Sequence, residues 1–148
     1  MVEVEVTRRA AAGAMLSLAG SGAAPLRPGR AIEPTPTSYA QAWLIEAPAR
    51  LLFISGQVPT DAEGVAPSGF AAQARMAWAN VLARLHAAGM GFENLAKVTI
   101  YLSDRCHRSE NTRIRAEILG TATPAISVVI ADIFEEAWLL EIEAIACG

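Results

Sequence analysis

Two carboxylates near the C-terminus are the residues whose type and spacing most readily support chemistry. Glu141 and Glu143 alternate with apolar residues in "LLEIEAIA", so on a β-strand their side chains point to the same face. A carboxylate with apolar neighbours can act as a general acid or base, or it can pair with an arginine across a subunit interface. The residues themselves leave both roles open for Glu141.

Other nucleophilic and metal-binding side chains lack the partners that would activate them. Ser55 in "ISGQV" has no histidine or lysine close in sequence, which favours a hydrogen-bonding turn residue over a nucleophile. The chain has two cysteines and two histidines, and their spacing matches neither a zinc site nor a disulfide framework: Cys106, Cys147, His86 and His107. We therefore expect no metal site and chemically inert cysteines.

Length, composition and charge restrict the class of protein. The chain has 148 residues, of which 53% are hydrophobic and 18% charged, which is enough for one hydrophobic core. Twelve basic and fifteen acidic residues give a net charge of −3, without the basic stripe that nucleic-acid phosphates require. Nucleic acid is therefore not an expected partner.

The first thirty residues form a separate segment. "TRRAAAGAMLSLAGSGAA" (7–24) places two arginines before an uncharged run, which resembles a twin-arginine export signal. The alternative is an edge strand at "VEVEV" followed by a short helix or flexible leader. The run is too short, and too rich in small residues, to span a membrane. We expect a leader at 1–30 and a domain at 31–148, periplasmic if the signal is functional and cytoplasmic otherwise.

The remaining sequence alternates strand and helix patterns. The proline-rich segment 25–38 predicts a linker or irregular lead-in. Helices are predicted at 70–89, closed by Gly89, and at 109–119, with a serine cap. Strands are predicted at 38–46, 50–58, 95–104, 125–132 and 137–146, the first two as an antiparallel pair. This order predicts an α+β sandwich with one mainly antiparallel sheet and two helices on one face.

The face of the sheet that the helices leave uncovered is expected to bind other copies of the chain. The strand patterns "VTIYL", "ISVVIA" and "LLEIEAIA" carry apolar residues on both alternating sets. One layer of helices cannot bury both sets, so the second predicts a homo-oligomer.

Several segments together resemble one known family. "SYAQA", "LLFISGQVP", "LAKVTIYLSD", "TPAIS" and "LEIEAIA" occur in the order and spacing of the YjgF family of reactive intermediate deaminases. This family is also called the RidA or L-PSP endoribonuclease family, and the resemblance covers residues 31–146. It implies a chorismate-mutase-like homotrimer with clefts at the subunit interfaces. It also implies hydrolysis of small enamines and imines to a keto acid and ammonia, without a metal or organic cofactor.

The resemblance assigns roles to individual residues. The glutamate that positions the attacking water corresponds to Glu141. Positions that line the substrate-binding cleft correspond to Tyr39, Ser55, Gly56 and Asn111. All five residues are of the type that the family carries there, so the resemblance implies that the polar part of the cleft is retained.

Three cleft positions depart from the family pattern. The arginine that holds the substrate carboxylate in deaminating members corresponds to Ile126, and a nearby cysteine corresponds to Val128. Trp138 replaces a smaller residue in a loop bordering the cleft, where it either narrows the pocket or joins the core. Arg113 and Arg115 on the second predicted helix are possible replacements for the arginine, although helical arginines are usually solvated.

Three classes of function remain open. The first is an enzyme with a shifted substrate, in which Glu141 positions water next to a small enamine, imine or carbonyl compound; its variant is an authentic 2-imino acid deaminase. The second is a trimeric metabolite-binding module without turnover. The third is a structural or RNA-cleaving protein, and the acidic charge balance argues against RNA. Without the arginine, we expect 2-aminoacrylate hydrolysis barely above the uncatalysed rate, and a gain of activity in Ile126→Arg.

Overall fold

The structure is a computed structural model that describes residues 29–148. The predicted leader, with its twin-arginine-like run, therefore lies outside the described residues except at its last two positions. The strands of the described part are β1 (Gly29–Thr35), β2 (Tyr39–Ile45), β3 (Leu51–Gln57), β4 (Leu95–Leu102), β5 (Ala125–Ile130) and β6 (Leu140–Cys147). The α-helices are α1 (Phe70–Ala87), between β3 and β4, and α2 (Arg108–Leu119), between β4 and β5.

The strands form one six-stranded mixed sheet in the order β1-β2-β5-β4-β6-β3. The pairs β1–β2, β4–β6 and β3–β6 are antiparallel, whereas β2–β5 and β4–β5 are parallel. Antiparallel pairings are thus in the majority, and the α+β class is confirmed. The expected antiparallel pairing of β2 with β3 is wrong, because β1 forms the hairpin with β2 and β3 pairs with β6 at the opposite edge.

Strand β1 corrects the prediction of an irregular lead-in at 25–38. Its residues pair with β2 from Gly29 opposite Ile45 to Thr35 opposite Tyr39. Because β1 is an edge strand, Pro34 can lack an N–H without breaking a ladder on both sides. Proline content alone was therefore a misleading signal in this segment.

Both helices cover the same face of the sheet and form the core with it. The fully buried side chains of α1 include Ala74, Trp78, Val81 and Leu85, and they pack with buried residues of β4 and β6. Burying each large apolar side chain contributes about 1.5–3 kcal/mol. Helix α1 ends as predicted, with Gly89 at φ 67° and the Met90 N–H donating to the Leu85 carbonyl at 2.9 Å, as in a glycine-closed helix.

The start of α2 differs from the predicted serine cap. The helix begins at Arg108, so Ser109 lies inside its first turn, after a 3₁₀ turn at Arg105–His107. The cap is provided earlier, by Asp104, whose carboxylate accepts from the Cys106 N–H at 2.6 Å. The His107 ring stacks on Phe70 with centroids 4.5 Å apart. This contact joins the start of α2 to α1.

The uncovered face of the sheet combines a polar centre with apolar margins. Its centre carries half-buried polar and charged side chains: Lys97, Thr99, Tyr101, Glu141 and Glu143. Apolar side chains occur on either side of this band, including Phe53, which is 71% exposed, and Val129, which is 41% exposed. Apolar side chains are therefore present on this face beside a polar centre, and the homo-oligomer stays a prediction. In the part of the chain that the structure describes, no helix is long and apolar enough to cross a membrane.

Candidate functional site

A cleft of about 890 Å³ opens on the helix-covered side of the sheet, between α2 and the strands β2 and β5. Four of the residues expected to line the family's cleft meet here: Tyr39 from β2, Asn111 from α2, and Ile126 and Val128 from β5. They are distant in sequence, and the parallel pairings of β5 with its neighbours bring them together.

The floor of the cleft is apolar. Ile126, Val128 and Ile130 alternate along β5 and line the cleft together with Leu102. Ile126 lies opposite Val98 of β4 and packs against the core. Position 126, where the resemblance implies an arginine in deaminating members, is therefore part of a hydrophobic surface in this chain.

Helix α2 supplies a polar wall above this floor. Asn111 is 1% exposed, and within residues 29–148 neither its Nδ2 nor its Oδ1 has a hydrogen-bond partner. Arg115 is 5% exposed, and its Nη2 donates to the Thr37 carbonyl at 3.2 Å. The guanidinium carbon lies 5.9 Å from the centroid of the Tyr39 ring. The buried Nε of Arg115 has no hydrogen-bond partner among the described residues.

Burial disfavours the charged form of the Arg115 guanidinium. Desolvation lowers the pKa of Arg115 from its ordinary value, and the nearby Tyr39 hydroxyl acts in the opposite direction. The ordinary pKa of arginine is so high that the group stays protonated at neutral pH. The cleft therefore contains a buried positive charge.

Arg113 and Arg115 have opposite environments although they are two residues apart. Arg113 is exposed and pairs with Glu117 at 2.6 Å and Glu110 at 3.5 Å, as expected for a solvated helical arginine. For Arg115 that expectation is wrong. Residues two positions apart are about 200° apart around a helix, whereas Asn111 and Arg115, four apart, share one side.

The cleft lining is also positive as a whole. Arg105, Arg108 and Arg115 line it, and no aspartate or glutamate of the described chain does. A positive lining in a partly enclosed cleft attracts anions. Sequence reasoning missed Arg105 and Arg108; the available signal was a pair of basic residues three positions apart just before a predicted helix.

The other expected site residues lie on the uncovered face of the sheet. Leu140 and Ile142 are 0% exposed beneath the helices, so Glu141 between them points away from the helices. Ser55 and Gly56 form an irregularity in β3, where its register against β6 shifts. A Cβ on Gly56 would lie 2.6 Å from Cδ of Glu141. The glutamate therefore occupies space that only a glycine leaves open.

Two further side chains on this face are coupled to each other. The Tyr101 hydroxyl donates to the Glu143 carboxylate at 3.2 Å. Desolvation and then the negative charge of Glu143 raise the pKa of Tyr101. Glu143 is thus engaged by a neighbour in its own chain, which distinguishes it from Glu141.

Within one chain, the sheet separates the two groups of expected site residues. Tyr39, Asn111 and Ile126 lie on the helix side, whereas Ser55, Gly56 and Glu141 lie on the other side. A site that uses both groups needs a second copy of the chain. In the described part of the chain, no three His, Cys, Asp or Glu side chains are grouped closely enough to hold a metal ion.

Comparison with known proteins identifies the family. The family model described as Endoribonuclease L-PSP matches residues 29–147. The chain belongs to this family. The resemblance to the YjgF/RidA proteins, inferred from the motifs, is thereby confirmed.

Relatives and solved structures of the Endoribonuclease L-PSP family cover most of the described chain. A RutC family protein of Pyrococcus horikoshii is 36% identical over 97 residues, which are 64% of this chain and 77% of the relative. The 2-iminobutanoate/2-iminopropanoate deaminase of Bos taurus is 34% identical over 110 residues, 73% of this chain and 78% of the relative. The Rid-family protein YyfB of Yersinia pestis matches with a TM-score of 0.72 at 26% identity, over 82% of this chain and 99% of that structure.

Trp138 lies in the loop that leads into β6. It is half-buried and is not among the residues that line the cleft within one chain. Gln73 of α1 holds the loop by donating to the Ala137 carbonyl and accepting from the Leu139 N–H, each at 2.8 Å. The loop thereby fixes the start of the strand that carries Glu141.

Proposed function

We propose that this protein hydrolyses a small imine or enamine to a carbonyl compound and ammonia, at a site formed by two copies of the chain. The observation that carries the proposal is that the chain has both parts of such a site. One is a cleft with an apolar floor and a polar wall, and the other is Glu141, which occupies the space next to Gly56 on the uncovered face. A relative 34% identical to this chain is named a 2-iminobutanoate/2-iminopropanoate deaminase. That name supports the reaction type.

The proposed reaction begins with addition of water to a protonated imine. Glu141 of one copy orients a water molecule and accepts its proton while the water oxygen bonds to the C=N carbon, and the π electron pair moves to nitrogen. The product is a tetrahedral carbinolamine, and Glu141 is left protonated. The half-buried position of Glu141 on a strand suits this role, because a carboxylate fixed by the backbone needs little reorganisation.

Collapse of the carbinolamine completes the reaction. Glu141 returns the proton to nitrogen, the C–N bond breaks as the oxygen lone pair forms C=O, and the hydroxyl proton passes to Glu141. Ammonia leaves and takes up this last proton, so one imine cation and one water give one carbonyl compound and one ammonium ion. No electron is gained or lost by an external partner, so the steps need only acid–base groups.

The proposed functional unit is a homotrimer. Its support is the separation of Glu141 from the cleft within one chain, together with the exposed Phe53 and Val129 beside the polar band. Exposed apolar side chains of this size commonly mark an interface. In a head-to-tail ring, each cleft meets the uncovered face of the next copy.

The test measures imine hydrolysis by the wild type and two matched variants. 2-Iminobutanoate and a neutral imine are generated in situ, and release of the carbonyl product is followed with a coupled reductase. We expect faster release with the wild type for at least one of the two. Glu141→Gln should lose about 10²–10⁴-fold in rate, whereas Glu143→Gln, on the same strand and face, should retain most activity. A wild type that accelerates neither imine would refute the proposal and favour a binding module.

A further inference from the structure

The wall of the cleft contains buried polar groups that the described chain leaves without partners. These are the Nε of Arg115 and both polar atoms of the Asn111 side chain, on residues only 5% and 1% exposed. Buried polar atoms are almost always hydrogen-bonded, and a buried charge is normally paired. Among the ion pairs of residues 29–148, none involves Arg115. Such groups therefore indicate a ligand that completes their hydrogen bonds.

The chemistry of the two side chains defines that ligand. A guanidinium is a planar fork of N–H donors that fits two carboxylate oxygens at once. Among the described residues its Nη2 donates to the Thr37 carbonyl, whereas the Nε–H has no acceptor and is left for a ligand. Asn111, one turn earlier on the same side of α2, adds a donor and an acceptor. No acidic side chain among the residues lining the cleft competes for the position.

We propose that Arg115 and Asn111 bind the carboxylate of the substrate, so that α2 supplies the anion anchor that the apolar strand β5 does not. The inference rests on the proposed function and names its substrate class: a 2-imino acid or its enamine form. The aliphatic part of the substrate lies on the floor formed by Ile126, Val128 and Ile130. In this proposal Ile126 contributes to the apolar surface that contacts the aliphatic part of the substrate.

The identity of residue 126 is explained by the position of Arg115. Both residues line the same cleft, so an arginine at 126 would add a second guanidinium group to a lining that contains no acidic side chain. Like charges in a desolvated site repel strongly. An aliphatic side chain avoids this repulsion and adds a surface for the substrate. The proposal differs from the expectation, based on Ile126, that 2-aminoacrylate is hydrolysed barely above the uncatalysed rate, and the hydrolysis assay decides between the two.

The test compares a carboxylate with its neutral isostere. Binding of propanoate and propanamide to the full-length wild type is measured by calorimetry at low ionic strength, with chloride held constant. We expect propanoate to bind at least about tenfold more tightly than propanamide. Arg115→Met, which keeps the length of the side chain and removes the charge, should abolish this preference. Arg113→Met, two residues away and outside the cleft, should keep it.

Two additional variants show whether a loss of preference in Arg115→Met comes from the missing guanidinium or from misfolding. Arg115→Lys keeps the charge and loses the fork, so it should fold and show a reduced preference for propanoate. Ile126→Arg added to Arg115→Met should restore the preference, because it places a guanidinium on the floor of the same cleft. Equal binding of the two ligands by the wild type, or an unchanged preference in folded Arg115→Met or Arg115→Lys, would overturn the inference.

Turnover separates this inference from the proposed function. In the hydrolysis assay, Arg115→Met should lose at least about 10²-fold more in kcat/KM for 2-iminobutanoate than for a neutral imine, whereas Arg113→Met, outside the cleft, should keep the wild-type ratio of the two. A wild type that hydrolyses neutral imines and shows no preference for carboxylates would overturn the Arg115 site and leave the reaction type standing. A wild type that binds propanoate through Arg115 without hydrolysing any imine would support the site and refute the reaction.

Discussion

Replacement of Gly56 by alanine tests whether the position of Glu141 matters for chemistry. A Cβ at residue 56 would overlap Oε1 of Glu141 and lie 2.6 Å from its Cδ, whereas ordinary contact begins near 3.4 Å, so the carboxylate must recede by at least about 0.8 Å. The group that moves is the end of a flexible side chain, and Gly56 does not have a positive φ. Fold stability should therefore change by less than about 1 kcal/mol.

The expected effect of Gly56→Ala is on the rate. A misplacement of about 1 Å in a catalytic group can cost roughly 10²-fold, so kcat/KM for the hydrolysed imine should fall about 10–100-fold. The assay follows release of the carbonyl product, with the melting temperature measured in parallel. The control is the double variant with Glu141→Gln, in which Gly56→Ala should add no further loss because it acts through Glu141. Full activity in Gly56→Ala, or additive losses in the double variant, would refute the reasoning.

Three further changes test the parts of the fold that position the site. Gln73→Leu removes the partners of the Ala137 carbonyl and the Leu139 N–H, and should lower the free energy of unfolding in urea by about 2–4 kcal/mol; a loss below about 1 kcal/mol would contradict this. The backbone N–H of Cys106, and after it the Cys106 side chain, form hydrogen bonds that lower the pKa of Asp104. The ionised carboxylate therefore stabilises the fold above the unfolded-state pKa, and this stabilisation is lost as the pH falls through the folded-state pKa. Asp104→Asn should therefore make the free energy of unfolding fall less steeply below about pH 4, and an unchanged slope would count against it. Phe53→Glu places a charge on the exposed apolar part of the uncovered face, and light scattering should show three chains per particle for the wild type and one for the variant.

Periodicity was sufficient to find the regular elements that build the core. The stripe from Phe70 to Leu85 predicted α1 because a helix buried on one side repeats its apolar residues every three to four positions. The left-handed glycine at 89 predicted where that helix ends. These features depend on neighbouring residues in the chain, and the sequence displays them directly.

The pairing of strands that are distant in sequence could not be predicted from local periodicity. Strand β1 was hidden by prolines that an edge strand tolerates, and with β1 missing, β2 was assigned to the wrong neighbour. The partner of a strand depends on the whole sheet rather than on its own pattern. The α+β class survived this error because it depends on the order of elements only.

The candidate site was only partly visible in the sequence. Motifs indicated Tyr39, Asn111 and Glu141, but they could not show that the sheet separates Glu141 from the cleft within one chain. Arg115 was judged by the usual behaviour of helical arginines, although it is four residues after Asn111 and next to the buried Ile114. The positions of Asn111, Ile114 and Arg115 on one side of α2 were the signal for a buried arginine. This signal becomes informative only when the face of α2 that meets the sheet is known.

The central claim is that Glu141 of one copy acts on a ligand in the cleft of another, and complementation between two inactive variants tests it most directly. Glu141→Gln removes the carboxylate, and Val128→Trp fills the cleft from its floor. Each variant alone should be nearly inactive. When the two are co-expressed and native mass spectrometry confirms mixed trimers, about a quarter of the sites should combine an intact cleft with an intact Glu141 and recover that share of wild-type activity. Mixed trimers that stay as inactive as the parent variants would contradict the account.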